Sequence, residues 1–268
     1  MLFRSIGKVE RVSPEAPVPV VDVTGFDQRL GGAGNVALNI KAMGATPILC
    51  SVIGQDKEGK DLRDIMMKSG LTCNGLIHSD KRKTTNKTRV LGNNHQLLRI
   101  DHEITHDLDV VDSFLLEQRF SEELENCDVV IFEDYNKGVL HGKNIELLIQ
   151  KCVTKGIPTI VDPKKANFLA YKNVTLFKPN LKEIKEGLKI ETDLSDLAHL
   201  NDAIAQLMSS LNNEYTLVTL SERGVVITGK NETHHIPAHI RTIADVSGAG
   251  DTVVSVAALC LSAKTDAK

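Results

Sequence analysis

The stretch that decides the fold is ADVSGAGDTVVSVAALCLSA, residues 244 to 263, in which Gly248, Ala249 and Gly250 stand directly before Asp251 and a long apolar run follows the acid. Two structures are open to it. As a turn and a strand, the β-branched TVVSV would sit in a sheet. As a glycine loop opening a helix near Asp251, its first-turn amides would face an anion and the acid could take a proton beside it. The run extends through AALCLSA, longer than a typical strand, which favours a buried helix.

Upstream, from Lys41 onward, short apolar runs alternate with amphipathic segments. TPILCSVIG, CDVVIFED, IPTIVDP and YTLVTL read as strands; DKEGKDLRDIMMKSG, NIELLIQKCVTKG and LSDLAHLNDAIAQLMSSL read as helices. Short Val- and Ile-rich strands separated by helices predict an α/β fold with a mostly parallel sheet covered on both faces. Ligands collect beyond the carboxyl ends of such strands, so Glu133, Asp134, Asp162, Asn180 and Ser221 are the polar groups to inspect. Residues 6–23 alternate around three prolines and residues 84–101 read as a hairpin turning at GNN, together a small sheet standing off the main one.

The 268 residues, 41% hydrophobic and 25% charged, suit one domain. No stretch approaches the roughly 18 apolar residues of a membrane span, and MLFRSIGKVE lacks the apolar core of a secretory signal, so the expectation is cytoplasmic. A net charge of −3 gives no general attraction to nucleic acid or membrane. Five cysteines, with no CxxC pair, read as mostly buried thiols in a reducing compartment. His234 and His235 read as surface residues on a hairpin.

A second glycine cluster is RLGGAGNVALNIKAMGA, residues 29 to 45. Gly32, Gly34 and Ala37 satisfy GxGxxA, but the polar GFDQRL precedes them where a dinucleotide fingerprint needs a strand, which argues against an oxidoreductase. What remains is a helix approached by Gly31 and Gly32, with Asn35 in its first turn able to hydrogen-bond a polyhydroxylated ligand.

GGAGNVALNIKAMGA (31–45), DPK (162–164), KPNLKE (178–183) and VSGAGD (246–251), in that order, resemble the ribokinase-like sugar kinases. RVSPEAPVPVV (11–21), TNKTRVLGNNHQLLRIDHE (85–103) and EDYNKGVL (133–140) are similar to the heptose 7-phosphate kinases within that family. The resemblance implies a ribokinase-like α/β domain over residues 1–268, with a β-lid from segments 6–23 and 84–101. The family's first strand, with its GD…D motif, and its closing C-terminal helices have no counterpart here, so weak or no activity is expected of the chain alone.

The implied reaction is phosphoryl transfer from ATP, with Mg²⁺, to the anomeric hydroxyl of D-glycero-β-D-manno-heptose 7-phosphate. By position, the resemblance makes Asp251 the base and Gly248, Ala249 and Gly250 the anion hole. Asn180 and Glu183 form the element ordering Mg·ATP, Glu183 reaching the metal through water. Ser221 and Gly224 match the nucleotide-side loop, and Lys164 reaches a nucleotide phosphate or caps its strand. Gly31, Gly32 and Asn35 fall to the sugar. Lys87, Arg89 and Arg99 grip the 7-phosphate or form a solvated face; Asp134 and Lys137 contact sugar or phosphate or form a loop salt bridge. Glu183 is equally placed as a first-turn acid favoured by the helix dipole. The expected partners are the sugar phosphate, ATP and a second copy through the lid. A ribokinase-like kinase for another sugar and a noncatalytic sugar-phosphate or nucleotide sensor are the competing functions.

Overall fold

The computed structural model describes residues 1–93, 95–230, 232–238 and 248–263. The chain opens with β1 (Leu2–Val12) and β2 (Pro19–Arg29), then α1 (Ala33–Ala42), β3 (Ser51–Gly54), α2 (Lys57–Lys68) and β4 (Leu76–Ser79). A hairpin of β5 (Asn86–Gly92) and β6 (His95–His102) follows, then α3 (Val110–Glu123), β7 (Val130–Glu133), α4 (Gly142–Lys155) and β8 (Thr159–Asp162). The rest is β9 (Leu176–Phe177), α5 (Leu181–Leu188), α6 (Leu197–Leu211), β10 (Tyr215–Thr219), β11 (Val225–Thr228), β12 (Thr233–Ile236) and α7 (Ala249–Ser262).

The central six-stranded sheet runs β12-β11-β10-β9-β8-β7. β7 to β10 are parallel, and β11 and β12 are added antiparallel. β7, β8 and β9 are mostly apolar up to the acids that end the first two, because both faces of the parallel part are covered. Val161, Phe177 and Val218 pack with residues of α4, α5 and α6, such as Ile149, Ile184 and Leu207. Their strand neighbours Ile160, Leu176 and Leu217 pack on the other face with Val36 and Ile40 of α1 and Val254 and Ala258 of α7. That second layer decides the opening ambiguity: the TVVSV run is helix, because as α7 it presents Val254 and Ala258 to both the sheet and α1. β3 and β4 pair in a separate parallel two-stranded ribbon.

The four-stranded lid has the order β2-β1-β5-β6. Its strands extend the expected segments at both ends: MLFRS, unread in the sequence, belongs largely to β1, and the polar GFDQR completes β2. A strand therefore does precede the GxGxxA cluster, but as an antiparallel lid strand rather than a buried parallel one. GFDQR is polar because the lid projects into water. Pro19 opens β2, where its missing N–H costs least.

Register gives the lid two unlike faces. Leu2, Lys87 and Asp101 stand in one row and Arg4, Arg89 and Arg99 in the next, on one face. Phe3, Thr88 and Ile100, then Ser5, Val90 and Leu98, with Phe26 beside Ser5, make the opposite face. Phe26, Leu98 and Ile100 are 80%, 54% and 52% exposed, so the second face is an open apolar surface. Leu2 lies against Gly31 at the entrance to α1, which turns the charged face toward the carboxyl ends of the central strands.

Of the cysteines read as mostly buried, only Cys152 is buried; Cys50, Cys73 and Cys127 are half-buried and Cys260 is exposed. No helix among the described residues is long and apolar enough to cross a membrane.

Candidate active site

The side-by-side packing of α1 and α7 brings their N-termini together beyond β7 and β8. Gly248 caps α7 in a left-handed conformation (φ 85°) and Ala249 begins the helix, so the amides of Ala249, Gly250 and Asp251 fall in its unpaired first turn. Asp251 Oδ2 accepts a 2.6 Å hydrogen bond from Asn35 Nδ2. The fold thus brings together Asp251, Asn35 and the 248–250 loop; Val246 and Ser247 of the motif lie outside the described residues. Gly32 caps α1 at φ 55°, with the Tyr135 ring 3.0 Å from where its β-carbon would be, so Gly32 serves geometry as well as any ligand.

Opposite this junction, the ends of β7 and β8 place Glu133 and Asp162 in register. Lys178, only 3% exposed, donates to Asp162 Oδ2 at 3.0 Å and lies within 4 Å of the space a side chain at Gly250 would fill. Glu133 Oε1 is buried without a hydrogen-bond partner. Burial first, then the charges of Asp162 and Asp251, push the Glu133 carboxyl up to about 8 against the opposing pull of Lys178. Lys178 was missed from the sequence; the signal was a lysine directly after the apolar Leu176–Phe177 of β9, a position a solvated lysine has no reason to take.

Asp134 is a correction. It is 2% exposed and turned inward: Oδ1 accepts from Asn136 N (2.7 Å), and Oδ2 accepts from Asn167 Nδ2 (2.9 Å) and Tyr171 OH (2.8 Å). It folds the 134–138 loop, with both oxygens engaged inside the fold. Glu133, one residue earlier, faces the site instead.

On the nucleotide side, Asn180 and Glu183 form a reciprocal capping box at the start of α5 (2.9 Å each way). Lys164 Nζ bridges Glu183 Oε1 (2.6 Å) and Asp162 Oδ1 (3.2 Å). Lys164 is therefore tied to carboxylates here rather than free for a phosphate. Ser221 and Gly224 make a tight turn after β10, with φ of 56° and 91°. A β-carbon on Gly224 would collide with the Ile236 carbonyl, so its glycine character is a backbone requirement.

The lid cations are partly neutralised. Lys87 Nζ donates to Asp101 (2.9 Å) and Glu103 (3.1 Å), Arg99 to Asp101 (3.0 Å), and Lys137 Nζ to Glu103 Oε1 (2.6 Å). Arg89 Nη1 is buried with no partner. Arg82, itself 7% exposed, fixes the loop that carries Lys137 by donating to the carbonyls of Lys137 (2.5 Å) and His106 (2.8 Å).

The sequence matches the pfkB family carbohydrate kinases over residues 2–268. The chain belongs to the pfkB family of carbohydrate kinases. Among its relatives are the Bifunctional protein HldE of Campylobacter curvus, 40% identical over 98% of this chain and 55% of that protein, and that of Coxiella burnetii, 39% identical over 97% and 53%. The chain spans about half the length of these curated relatives. The fold is also that of phosphofructokinase-2 from Escherichia coli, solved with fructose-6-phosphate (TM-score 0.78, 19% identity, 99% of this chain and 84% of that one). Arabidopsis thaliana ribokinase, complexed with ribose and ATP, is similar too (TM-score 0.74, 14% identity, 99% and 84%). At these identities the solved structures speak for the fold alone.

The donor set of this pfkB kinase suits a magnesium nucleotide better than a bare ion. Among the described residues no group of three or more His, Cys, Asp or Glu converges as a metal-ligand set. Both Glu183 oxygens are engaged, Oε1 by Lys164 and Oε2 by the Asn180 amide, so direct ligation of a metal would have to displace one of those bonds. The Asp162 carboxylate supplies negative charge at the strand ends, and the orphaned Glu133 oxygen beside it is a further acceptor. A Mg²⁺ that keeps most of its ligands as water and phosphate oxygens fits there.

Proposed function

We propose that the chain transfers the γ-phosphoryl group of Mg·ATP to the anomeric hydroxyl of D-glycero-β-D-manno-heptose 7-phosphate. The carrying observation is the Asn35–Asp251 hydrogen bond at the meeting of two helix N-termini. It holds a carboxylate on the rim of a glycine-lined amide nest, which is the juxtaposition of base and anion seat that phosphoryl transfer requires. Asp251 accepts the hydroxyl proton as the oxygen attacks. The first-turn amides of α7 and the Lys178 ammonium take up negative charge on the transferring group. When bound, Mg²⁺ neutralises the nucleotide phosphates. Asn180 and Glu183 order the nucleotide side through α5, and Gly31, Gly32 and Asn35 shape the sugar side.

Three lines support a phosphorylated heptose: the lid and loop segments similar to heptose 7-phosphate kinases, the cations Lys87, Arg89 and Arg99 on the lid face turned to the site with Lys137 on the neighbouring loop, and the HldE relatives. The open apolar face holding Phe26, Leu98 and Ile100 supports a homodimer joined lid to lid. An ADP-release screen of the chain against phosphorylated heptoses and hexoses, in both anomers, tests the reading. Release driven by heptose 7-phosphate above all others is expected. ATP binding without any sugar-dependent ADP release would identify a sensor instead.

A further inference from the structure

The lid and the catalytic-end loop are separate elements, joined at one carboxylate. Glu103 follows β6 and its side chain is 17% exposed; one oxygen takes Lys137 Nζ (2.6 Å) and the other takes Lys87 Nζ (3.1 Å). Lys87 lies on β5 of the lid, and Lys137 lies four residues beyond Glu133 on the loop that Arg82 and Asp134 fix in place. Two ammoniums from different elements repel one another at this range, so they stay side by side because an anion sits between them. Arg89, the next residue but one on Lys87's face, carries the buried, unpartnered Nη1. A partnerless guanidinium nitrogen is costly, and it marks a donor waiting for an acceptor.

From this we infer that Glu103 is a positioning residue: it clamps Lys87 of the lid to Lys137 of the site loop and so assembles, beside Arg89, a seat for the phosphate of a phosphorylated sugar. The inference rests on the kinase reading above and deepens it by naming what selects a phosphorylated substrate. Asp101 plays the parallel part on the lid alone, pairing Lys87 with Arg99, but it touches nothing on the loop in the bonds described. Glu103 is therefore where phosphate recognition and lid position become one event. An unphosphorylated sugar gains nothing from the clamp.

Calorimetric titration of the full chain without ATP, using heptose 7-phosphate and unphosphorylated heptose, reads the seat apart from the chemistry. The parent should bind the phosphorylated sugar more tightly. Glu103→Gln should lose about tenfold or more of that affinity while its affinity for heptose stays within about twofold, because only charge-assisted phosphate contacts are disturbed. Glu103→Asp keeps the charge but is too short to span both lysines, and should fall between. The losses from Glu103→Gln and Lys137→Met should overlap in the double variant, since one acts through the other. An unchanged or tighter grip on heptose 7-phosphate in Glu103→Gln, an equal loss for both sugars, or full additivity with Lys137→Met overturns the inference. Failure of the kinase reading would show separately, as no ADP release from a parent that still distinguishes the two sugars.

Discussion

Asn35 and Asp251, 216 residues apart in the chain, meet at 2.6 Å and tie the first turn of α1 to the first turn of α7. The packing of Val36 and Ile40 against Val254 and Ala258 sets the two helices in place, and the hydrogen bond aims the carboxylate. Removing the acid should thus cost chemistry more than folding. Asp251→Asn is expected to lower kcat by roughly 10²–10⁴-fold, the range for loss of a general base, with an unchanged melting temperature. Sugar-dependent ADP release at the parent's rate would remove Asp251 from its role.

Asn35→Ala leaves the acid in place but unaimed. A hydrogen bond to a charged group is worth about 1.5–3 kcal/mol, so a loss of about 10- to 100-fold in kcat/KM is expected, smaller than for Asp251→Asn. Steady-state kinetics on the two variants side by side decide the order.

Glu133 makes stability depend on pH. Its carboxyl is raised in the fold from 4.5 to about 8, so the folded state favours the neutral form. The stability this contributes is fully present below about pH 4.5 and is lost as pH rises through about 8. Glu133→Gln keeps the neutral shape at every pH, and should flatten that part of the curve. Urea unfolding of parent and variant at about pH 5.5 and about pH 8.5 measures it, and parallel curves would show that Glu133 is not the buried acid responsible.

Gly32→Ala combines an unfavourable φ of 55° with a contact on the Tyr135 ring. A loss of about 1–3 kcal/mol is expected, together with a raised KM for sugar, because Tyr135 must give way beside Glu133. Thermal unfolding and sugar titrations report the two effects independently.

The exposed lid face predicts self-association. Ile100→Asp puts a charge at a 52% exposed apolar position on the face away from the site. Sedimentation should show a parent dimer converted to monomer, and a monomeric parent would leave that face without its proposed partner.

Much of this was written locally. The alternation of apolar runs and amphipathic segments appears as β7-α4-β8 and α6-β10, because periodicity and helix-start residues act over a few positions. Asp56, Asp109, Asn180 and Asp196 each cap the helix they precede. The lid was legible from its prolines and its hairpin turn, although its ends were not, since β1 and β2 are held by each other more than by their own composition. The GAGD and GGAGN clusters pointed to helix starts for the same local reason: Gly32 (φ 55°) and Gly248 (φ 85°) take backbone angles that glycine adopts most readily.

Which of two adjacent acids serves the site was beyond the sequence. Glu133 and Asp134 differ by one step along the chain, and the register of β7 on β8 sends the first to the strand ends and the second toward Tyr171. Lys178 and Glu103 likewise acquire meaning only from partners brought close by the fold. Pattern and spacing determined that there would be a covered parallel sheet with a small sheet standing off it; the three-dimensional packing alone decided that TVVSV is helix, that Asn35 meets Asp251, and which charges face one another. The reason is physical: propensity and pattern are sums over neighbours in sequence, whereas burial, repulsion and hydrogen bonding are settled between groups that only folding makes neighbours.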